Sequence, residues 1–448
     1  TVYFNLNNPE HEIAKITPDE IQIMKNGGNE DGIILDGSRK MKPLKFLPDA
    51  DLEEADRLLV DLLVGNMTCP QGDRFLILSW LSCFLLIDFA GTRPMTRFEG
   101  SAGSGKTTAS KITSTLLYGE PQHKKATDAA NYTDGSQNPL IVLDNIEVKQ
   151  MTEDLTTFML TSITGIAKEK RKSGTDSETI TERTKCLLNT TGIEPLCGEL
   201  SEILSRSFVI NFDLANQASD CFLESEVISA IQQNRDLIIS AIMKRTSHVL
   251  AMIRDGAQKQ VMRLLHRTMP THGKRRCNDY LSLMYLMMLA GSEEHEVTTG
   301  LEDLSPLFVE QIHSINDTSQ EMARESNPIA TALASLFHTY RNAVELDEKA
   351  RYGEDDRANH VVGFIERYQV RFENENTMEP VSAGRLLAAL RRVGREFNLE
   401  FEYKKPAQLG RRISNDLDVI RDAGFDIDRQ RNAHTKNFEY RIAKTANL

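Results

Sequence analysis

Gly100-Ser101-Ala102-Gly103-Ser104-Gly105-Lys106-Thr107 is the stretch on which the fold turns. Gly100, Gly103 and Gly105 open backbone conformations and approach distances that a Cβ closes, so several N–H groups can face one anion. The spacing predicts a strand before the loop and a helix from Lys106, whose positive end adds to that field. Lys106 is suited to neutralise β- and γ-phosphates, and the Thr107 hydroxyl to ligate Mg²⁺. Ser104 and Thr108 complete the expected phosphate-facing set. GxxxxGK[ST] is specific because each fixed residue has a separate duty, and the loop reads as one built for ATP with Mg²⁺.

A second motif follows at Pro139-Leu140-Ile141-Val142-Leu143-Asp144. An apolar strand buried on both faces delivers a carboxylate at its carboxyl end, where ligands of α/β sheets gather, so Asp144 is expected to hold the metal's water shell. Hydrolysis also needs a residue that orients water. The position after Asp144 is Asn145, which leaves that duty to Glu147 or to Asp144 itself, and Glu147 reads equally as a solvated loop acid. Asn189, expected to end the strand Cys186-Leu187-Leu188, offers an amide for the γ-phosphate or the water. Arg206, before the strand Phe208 to Phe212, offers a guanidinium that can cross to a neighbouring subunit's γ-phosphate.

Around these motifs the pattern alternates: strand Met95 to Phe98, helix Lys106 to Leu117, strand Leu140 to Leu143, helix Thr152 to Ile163, strand Lys185 to Asn189, helix Leu200 to Leu204, strand Phe208 to Phe212. The chain divides into a small accessory region (1–70), an α/β sheet domain (71–215), a helical lid or collar (216–375) and a compact basic module (376–448). The accessory region shows strand-like pieces at Val2 to Leu6, Ile21 to Met24 and Gly32 to Leu35, then a helix from Asp51 to Gly65. Asp73 to Phe89 reads as one helix packed on several sides, with Trp80 and Cys83 in the core. Helical stretches follow near Glu224 to Asp255, Gln258 to Leu265, Cys277 to Leu289 and Ile329 to Leu346, and Glu345 to Asp356 reads as a solvated connection. In the last module Ser382 is a helix cap before Ala383 to Phe397, Leu409-Gly410-Arg411-Arg412 opens a second helix, Gly424 is a stop, and Phe438 to Ile442 is a strand.

The 448 residues, 40% hydrophobic and 26% charged, suit a soluble chain of several domains. The apolar run Phe75 to Ala90 is too short to span a membrane and is broken by Ser79, Ser82 and Asp88. Six cysteines without a CxxC pair signal neither a disulfide framework nor a zinc knuckle, which points to a reducing cytoplasm, bacterial or phage-infected. The net charge is -12, yet Val381 to Leu448 holds 14 Lys and Arg against 9 Asp and Glu, a surplus of +5 over a remainder near -17. Such polarity marks where an anionic polymer would sit. The start, Thr1-Val2-Tyr3-Phe4, lacks an initiator Met and a signal pattern, and is expected to be an excised piece of a longer chain.

With these residues, the chain resembles the AAA+ ring ATPases, and among them the superfamily 3 helicases and the phage or plasmid primase-helicases of poxvirus type. The resemblance covers 73–215 and rests on Gly100 to Thr108, Leu143-Asp144-Asn145, the strand to Asn189, and Leu204-Ser205-Arg206. It implies a phosphate loop, metal acid, polar sensor and arginine finger at these positions; Asn145 departs from the commoner acidic pair. It also implies a pore hairpin, matched here by Lys168-Glu169-Lys170-Arg171-Lys172-Ser173-Gly174, whose Lys170, Arg171 and Lys172 can track a phosphate backbone by charge alone. The end of the chain is similar to a winged-helix module, with Arg411 and Arg412 as further nucleic-acid contacts. The implied activity is an ATP-driven helicase that assembles as a homo-oligomer, a hexamer, on single-stranded or forked DNA, with a primase domain before Thr1 or as a partner. Two other readings remain: an AAA+ switch of regulation or defence that binds protein partners without moving DNA, and a small-molecule kinase, which the length and the finger position disfavour. The basic series Arg263, His266, Arg267, Lys274, Arg275 and Arg276 suits a solvated helix face as well as a nucleotide-sensing lid.

Overall fold

A computed structural model describes residues 1–122, 128–147, 150–171, 179–184, 186–193, 201–217, 223–268, 277–291, 303–314, 327–352, 359–397, 399, 401, 403–432 and 438–445. The chain forms two compact units: Thr1–Leu196 with Glu202–Asn316, and Asp317–Leu448 with Cys197–Ser201.

The first unit begins with an antiparallel meander of β1 (Val2–Asn5), β2 (Glu12–Ile16) and β3 (Ile21–Lys25). The strand expected at Gly32 to Leu35 does not form. There the backbone bonds to side-chain amides instead of a ladder: Asn26 exchanges two bonds with Leu35, and the Asn29 amide donates to Ile33 O. The strand overlooked in the sequence is β2, whose Ile13, Ala14 and Ile16 are buried. Helix α1 (Leu52–Leu62) is capped by Asp51, which accepts from the amides of Glu53 and Glu54. The single helix read over Asp73 to Phe89 is two pieces, α2 (Gln71–Ser82) and a 3₁₀ run Cys83–Phe89. Apolar residues on every side erase the period that would reveal the change. Trp80 and Cys83 are fully buried, and the indole N–H donates to Pro94 O at 2.8 Å.

The central layer follows: β4 (Met95–Glu99), α3 (Lys106–Tyr118), α4 (Asp128–Gln137), β5 (Leu140–Leu143), α5 (Glu153–Thr164), the hairpin β6 (Ala167–Arg171) and β7 (Thr179–Arg183), β8 (Leu187–Gly192), α6 (Ser201–Leu204) and β9 (Ser207–Asn211). Four of these strands make a parallel sheet in the order β5-β8-β4-β9, so β8 lies between the strand that feeds the glycine loop and the strand that ends at Leu143. This mixed α/β arrangement is compatible with a phosphate-loop domain. Every residue of β4, β5 and β8 is buried, which explains the uninterrupted apolar pattern of β5; β4 and β8 bury polar side chains as well, among them Thr96, Arg97, Asn189 and Thr191.

Helices α7 (Glu224–Arg254), α8 (Ala257–Thr268), α9 (Asn278–Leu289) and α10 (306–314) complete the first unit. Arg235 of α7 is buried and collects carbonyls: its Nε donates to Leu116 O at 3.0 Å, Nη2 to Leu117 O at 2.6 Å, and Nη1 to Lys42 O and Pro43 O at 3.0 and 3.2 Å. It thus satisfies the last turn of α3 and ties the N-terminal segment to it. Burial lowers its pKa to about 10.

The second unit has its own core and comprises α11 (Pro328–Tyr352), α12 (His360–Tyr368), β10 (Phe372–Asn374), β11 (Thr377–Ser382), α13 (Ala383–Glu396), α14 (Pro406–Asn415), α15 (Leu417–Asp422), β12 (Phe425–Arg431) and β13 (Phe438–Lys444). Its sheet is antiparallel, ordered β10-β11-β13-β12. Ser382 caps α13 as expected. The second helix opens at Pro406 rather than near Leu409, because proline is preset for a first helical turn. Helix α11 runs through the first part of the expected connection, to Tyr352. No helix among the described residues is long and apolar enough to cross a membrane.

Replacing Arg235 with Met keeps the buried volume but strands four carbonyls. We expect Arg235→Met to destabilise the first unit by about 3 kcal/mol, read as a lower urea midpoint. An unchanged midpoint would show that those carbonyls find other donors.

Candidate active site

The glycines of the loop serve different needs. Gly100 has φ 146°, and a Cβ there would lie 2.2 Å from Phe212 O, so close approach to the end of β9 requires glycine. Gly105, at φ 95°, caps α3, and its Cβ would meet the Thr68 hydroxyl at 2.5 Å. Gly103, at φ 81°, has open space around it, so only its backbone conformation is special. Thr68 donates its hydroxyl to Ser104 O and accepts Asp213 N–H on its carbonyl at 2.8 Å, locking the loop to the segments before α2 and after β9.

Lys106 is only 7% exposed. Its ammonium donates to Gly100 O and Ser101 O, both at 2.7 Å, and to Ser104 Oγ at 3.2 Å. Burial pushes its pKa below the usual value; Glu147 and, more weakly, Asp144 oppose that shift, and Arg97 adds to it. A buried cation held only by neutral oxygens is a site that favours an anion.

Thr107 and Asp144, far apart in sequence, meet: the hydroxyl donates to Asp144 Oδ1 at 3.2 Å. A second hydroxyl, Thr191 Oγ1 on β8, donates to the same oxygen at 2.7 Å and accepts Asn145 N–H at 2.8 Å. Thr191 is the residue that sequence reasoning missed. Its signal was the strand's length, because β8 runs three residues past Asn189 and brings Thr191 level with the loop. No cluster of three or more His, Cys, Asp or Glu able to cage a metal occurs among the described residues. A hydroxyl and one carboxylate oxygen beside a phosphate cradle instead suit Mg²⁺, which keeps waters and takes ligands from phosphates.

Asn145 has φ 56°, a left-handed conformation that Asn tolerates better than most residues, and its side chain is exposed. Glu147 is half-buried, with Oε1 accepting Ile193 N–H at 2.9 Å. Among the charges acting on Lys106, that of Glu147 is the strongest.

Three candidates lie elsewhere. Asn189 sits mid-strand, fully buried, its Oδ1 accepting from Ser110 at 2.7 Å and its Nδ2 donating to Thr96 at 2.9 Å, so both ends of its amide are engaged beneath the loop. Thr108 donates to Glu224 at the start of α7 at 2.5 Å, with Lys111 on the same carboxylate at 2.7 Å. Arg206 occupies the turn before β9, and its carbonyl accepts Met95 N–H at 3.2 Å. That is the amino edge of the sheet; the five residues of β9, about 17 Å, separate it from the loop's edge.

Of the nucleic-acid candidates, Lys170 and Arg171 fall on β6, paired in register with Ile180 and Thr179, while Lys172 lies outside the described residues. In the second unit Arg411 is exposed and lines a cleft of about 720 Å³ together with Arg429 and Phe438, whose ring lies 3.6 Å from the Arg429 guanidinium. Arg412 instead turns inward, 2.6 Å from the buried Asp416, which also accepts from Asn327 at 2.9 Å.

No family model matches this chain, and no curated protein matches it. A solved structure described as "SCCmec type IV Cch - active helicase" is similar over 99% of this chain and 78% of its own, at 12% identity and a TM-score of 0.52, which shows a shared fold. The A form apo structure of the NrS-1 C terminal region is matched at 12% identity over 98% of this chain and 95% of its own, with a TM-score of 0.34.

Thr191→Val keeps the shape and removes the hydroxyl that aims Asp144. It is expected to raise the Mg²⁺ concentration needed for half-maximal nucleotide binding or turnover by about tenfold. A Mg²⁺ titration at fixed nucleotide reads this directly, and an unshifted midpoint would leave Asp144 aimed by Thr107 alone.

Proposed function

We propose that this chain is an AAA+ ATPase of the superfamily 3 type, a DNA helicase or translocase that works as a ring. The observation that carries the reading is the meeting of Thr107, beside Lys106 at the start of α3, with Asp144 at the carboxyl edge of a parallel sheet in which β8 lies between β4 and β5. The inserted strand supports the AAA+ assignment, since it places a third polar strand end between the loop and the metal acid. The fold shared with a structure described as an active helicase supports the same direction.

In this mechanism the amides of Gly100 to Lys106 and the Lys106 ammonium bind the β- and γ-phosphates of ATP, and Lys106 exchanges its carbonyl partners for them. Thr107 and Asp144 would hold Mg²⁺, which would supply neutralisation of the phosphate charge. Glu147, on the segment that Asp144 begins, orients the attacking water and takes its proton. Asn189 acts from below, through Ser110 of α3 and Thr96 of β4, by keeping the loop helix in register with the sheet. The placement of Arg206 at the opposite edge from its own chain's loop means that an arginine-finger role requires a second copy, and this is the structural argument for an oligomer, a hexamer in our reading. The β6–β7 hairpin then carries Lys170, Arg171 and Lys172 to single-stranded or forked DNA, and the basic module 376–448, read as winged-helix-like, offers Arg411 beside Arg429. A primase domain or partner completes the reading.

Lys106→Ala is expected to abolish ATP turnover. Single-stranded DNA is expected to stimulate the wild-type ATPase severalfold, and Arg171→Ala with Lys172→Ala to remove that stimulation while basal turnover persists. Basal ATPase without any DNA response would instead favour a nucleotide-driven assembly switch. For the finger, Lys106→Ala and Arg206→Ala proteins are each expected to be inactive alone but to recover part of the activity when mixed, because a mixed ring holds some junctions with both groups intact. Absence of recovery, with mass measurements showing monomers in the presence of a nonhydrolysable ATP analogue and an oligonucleotide, would rule out action between subunits.

A further inference from the structure

Arg97 lies on β4, three residues before Gly100, and its side chain is 0% exposed. Nothing in the glycine-loop pattern calls for a cation there. Its guanidinium reaches three elements at once. Nε pairs with Glu99 Oε1 at 3.1 Å, and Nη1 donates to both Ile146 O and Thr191 O at 2.8 Å. Ile146 N–H in turn donates to Thr191 O at 2.8 Å. The segment 144–147, which carries both Asp144 and Glu147, is therefore held to the end of β8 by the Thr191 hydroxyl, by the Ile146–Thr191 backbone bond, by Ile193 N–H on Glu147 and by the Arg97 fork. Gly192 leaves room for that fork: a Cβ there would lie 1.9 Å from Arg97 Nη2 and 2.7 Å from Ile146 O.

We propose that Arg97 is a positioning residue for nucleotide hydrolysis, one that fixes the Asp144–Glu147 segment against β8 and so sets where the metal acid and the water-orienting acid stand relative to Lys106. This rests on the ATPase reading of the same site. A planar fork is needed because one residue must serve a carboxylate on one edge and two carbonyls on another, which a lysine cannot do. The position is also electrostatically active. Burial pushes the Arg97 pKa down, against the pull of Glu99, and the Arg97 charge is felt at Lys106. Its contacts with Glu99, Ile146 and Thr191 are with the supports of the site, so its part lies in positioning rather than in holding the nucleotide.

The test separates binding from turnover. Arg97→Lys and Arg97→Met are expected to bind Mg·ATP, by calorimetry, within about threefold of wild type but to lose kcat by about 100-fold, the scale of a roughly 1 Å misplacement of reacting groups. Gly192→Ala displaces the same fork without deleting it and is expected to show the same split between binding and kcat. In the double variant Arg97→Met with Gly192→Ala the losses are expected to combine less than multiplicatively, because the clash with the fork vanishes while that with Ile146 O remains. Turnover within twofold of wild type in folded Arg97→Met protein would overturn the role. Affinity and kcat falling together with the melting temperature, and multiplying in the double variant, would reduce Arg97 to a structural ion pair. A wild-type protein that neither binds nor hydrolyses Mg·ATP would sink the ATPase reading and this inference with it, an outcome distinct from both.

Discussion

A buried ammonium surrounded by neutral oxygens is the constraint around which this molecule is arranged. Lys106 is removed from water yet bonded to two carbonyls and a hydroxyl. Desolvating a cation without a counter-charge is unfavourable, and the chain tolerates it by gathering backbone dipoles about the site and by keeping the acids Asp144 and Glu147 near but not in contact. A charge so placed favours an anion beside it. Everything that fixes the loop, from Thr68 beneath Ser104 to the Phe212 carbonyl pressed against Gly100, keeps Lys106 from relaxing toward solvent.

Three buried arginines do comparable work on the frame. Arg93 donates to the carbonyl of Ser162 in the last turn of α5 and to Ile87 O, Arg97 serves the strand ends beside the loop, and Arg235 serves the last turn of α3. Each lies where a helix or strand stops and its carbonyls lose their regular partners. A guanidinium suits the task because its donors form a rigid plane that can satisfy several carbonyls at once, with less order to impose than a lysine tail would need. In each case glycine marks the space so used: Cβ atoms on Gly165, Gly192 and Gly119 would lie 2.3, 1.9 and 3.1 Å from a nitrogen of Arg93, Arg97 and Arg235 respectively.

Helix α7 shows how the helical region can report on the loop. Glu224, its first residue, holds both Thr108 and Lys111 of α3, and Arg235, three turns on, holds the far end of the same helix. The two helices are thereby bonded near both ends, so a movement of α3 on phosphate binding would be carried into α7. The second unit has a separate core, with Arg411 and Arg429 at its surface and Arg412 drawn inward to Asp416.

What the sequence by itself determined are the features written in local chemistry: the glycine spacing, the lysine and threonine that follow it, the apolar strand that ends in Asp144, and the Ser382 cap. Each depends on neighbours along the chain, so reading in one dimension suffices. Only the tertiary structure decided which polar residues converge. Thr191 rather than Asn189 reaches Asp144 because parallel pairing with β4 and β5 carries β8 three residues further, and register between strands distant in sequence leaves no local mark. Arg97 was illegible for the same reason, since a buried cation is explained only by the carbonyls it serves, and those belong to the segment after β5 and to β8, almost fifty and a hundred positions away.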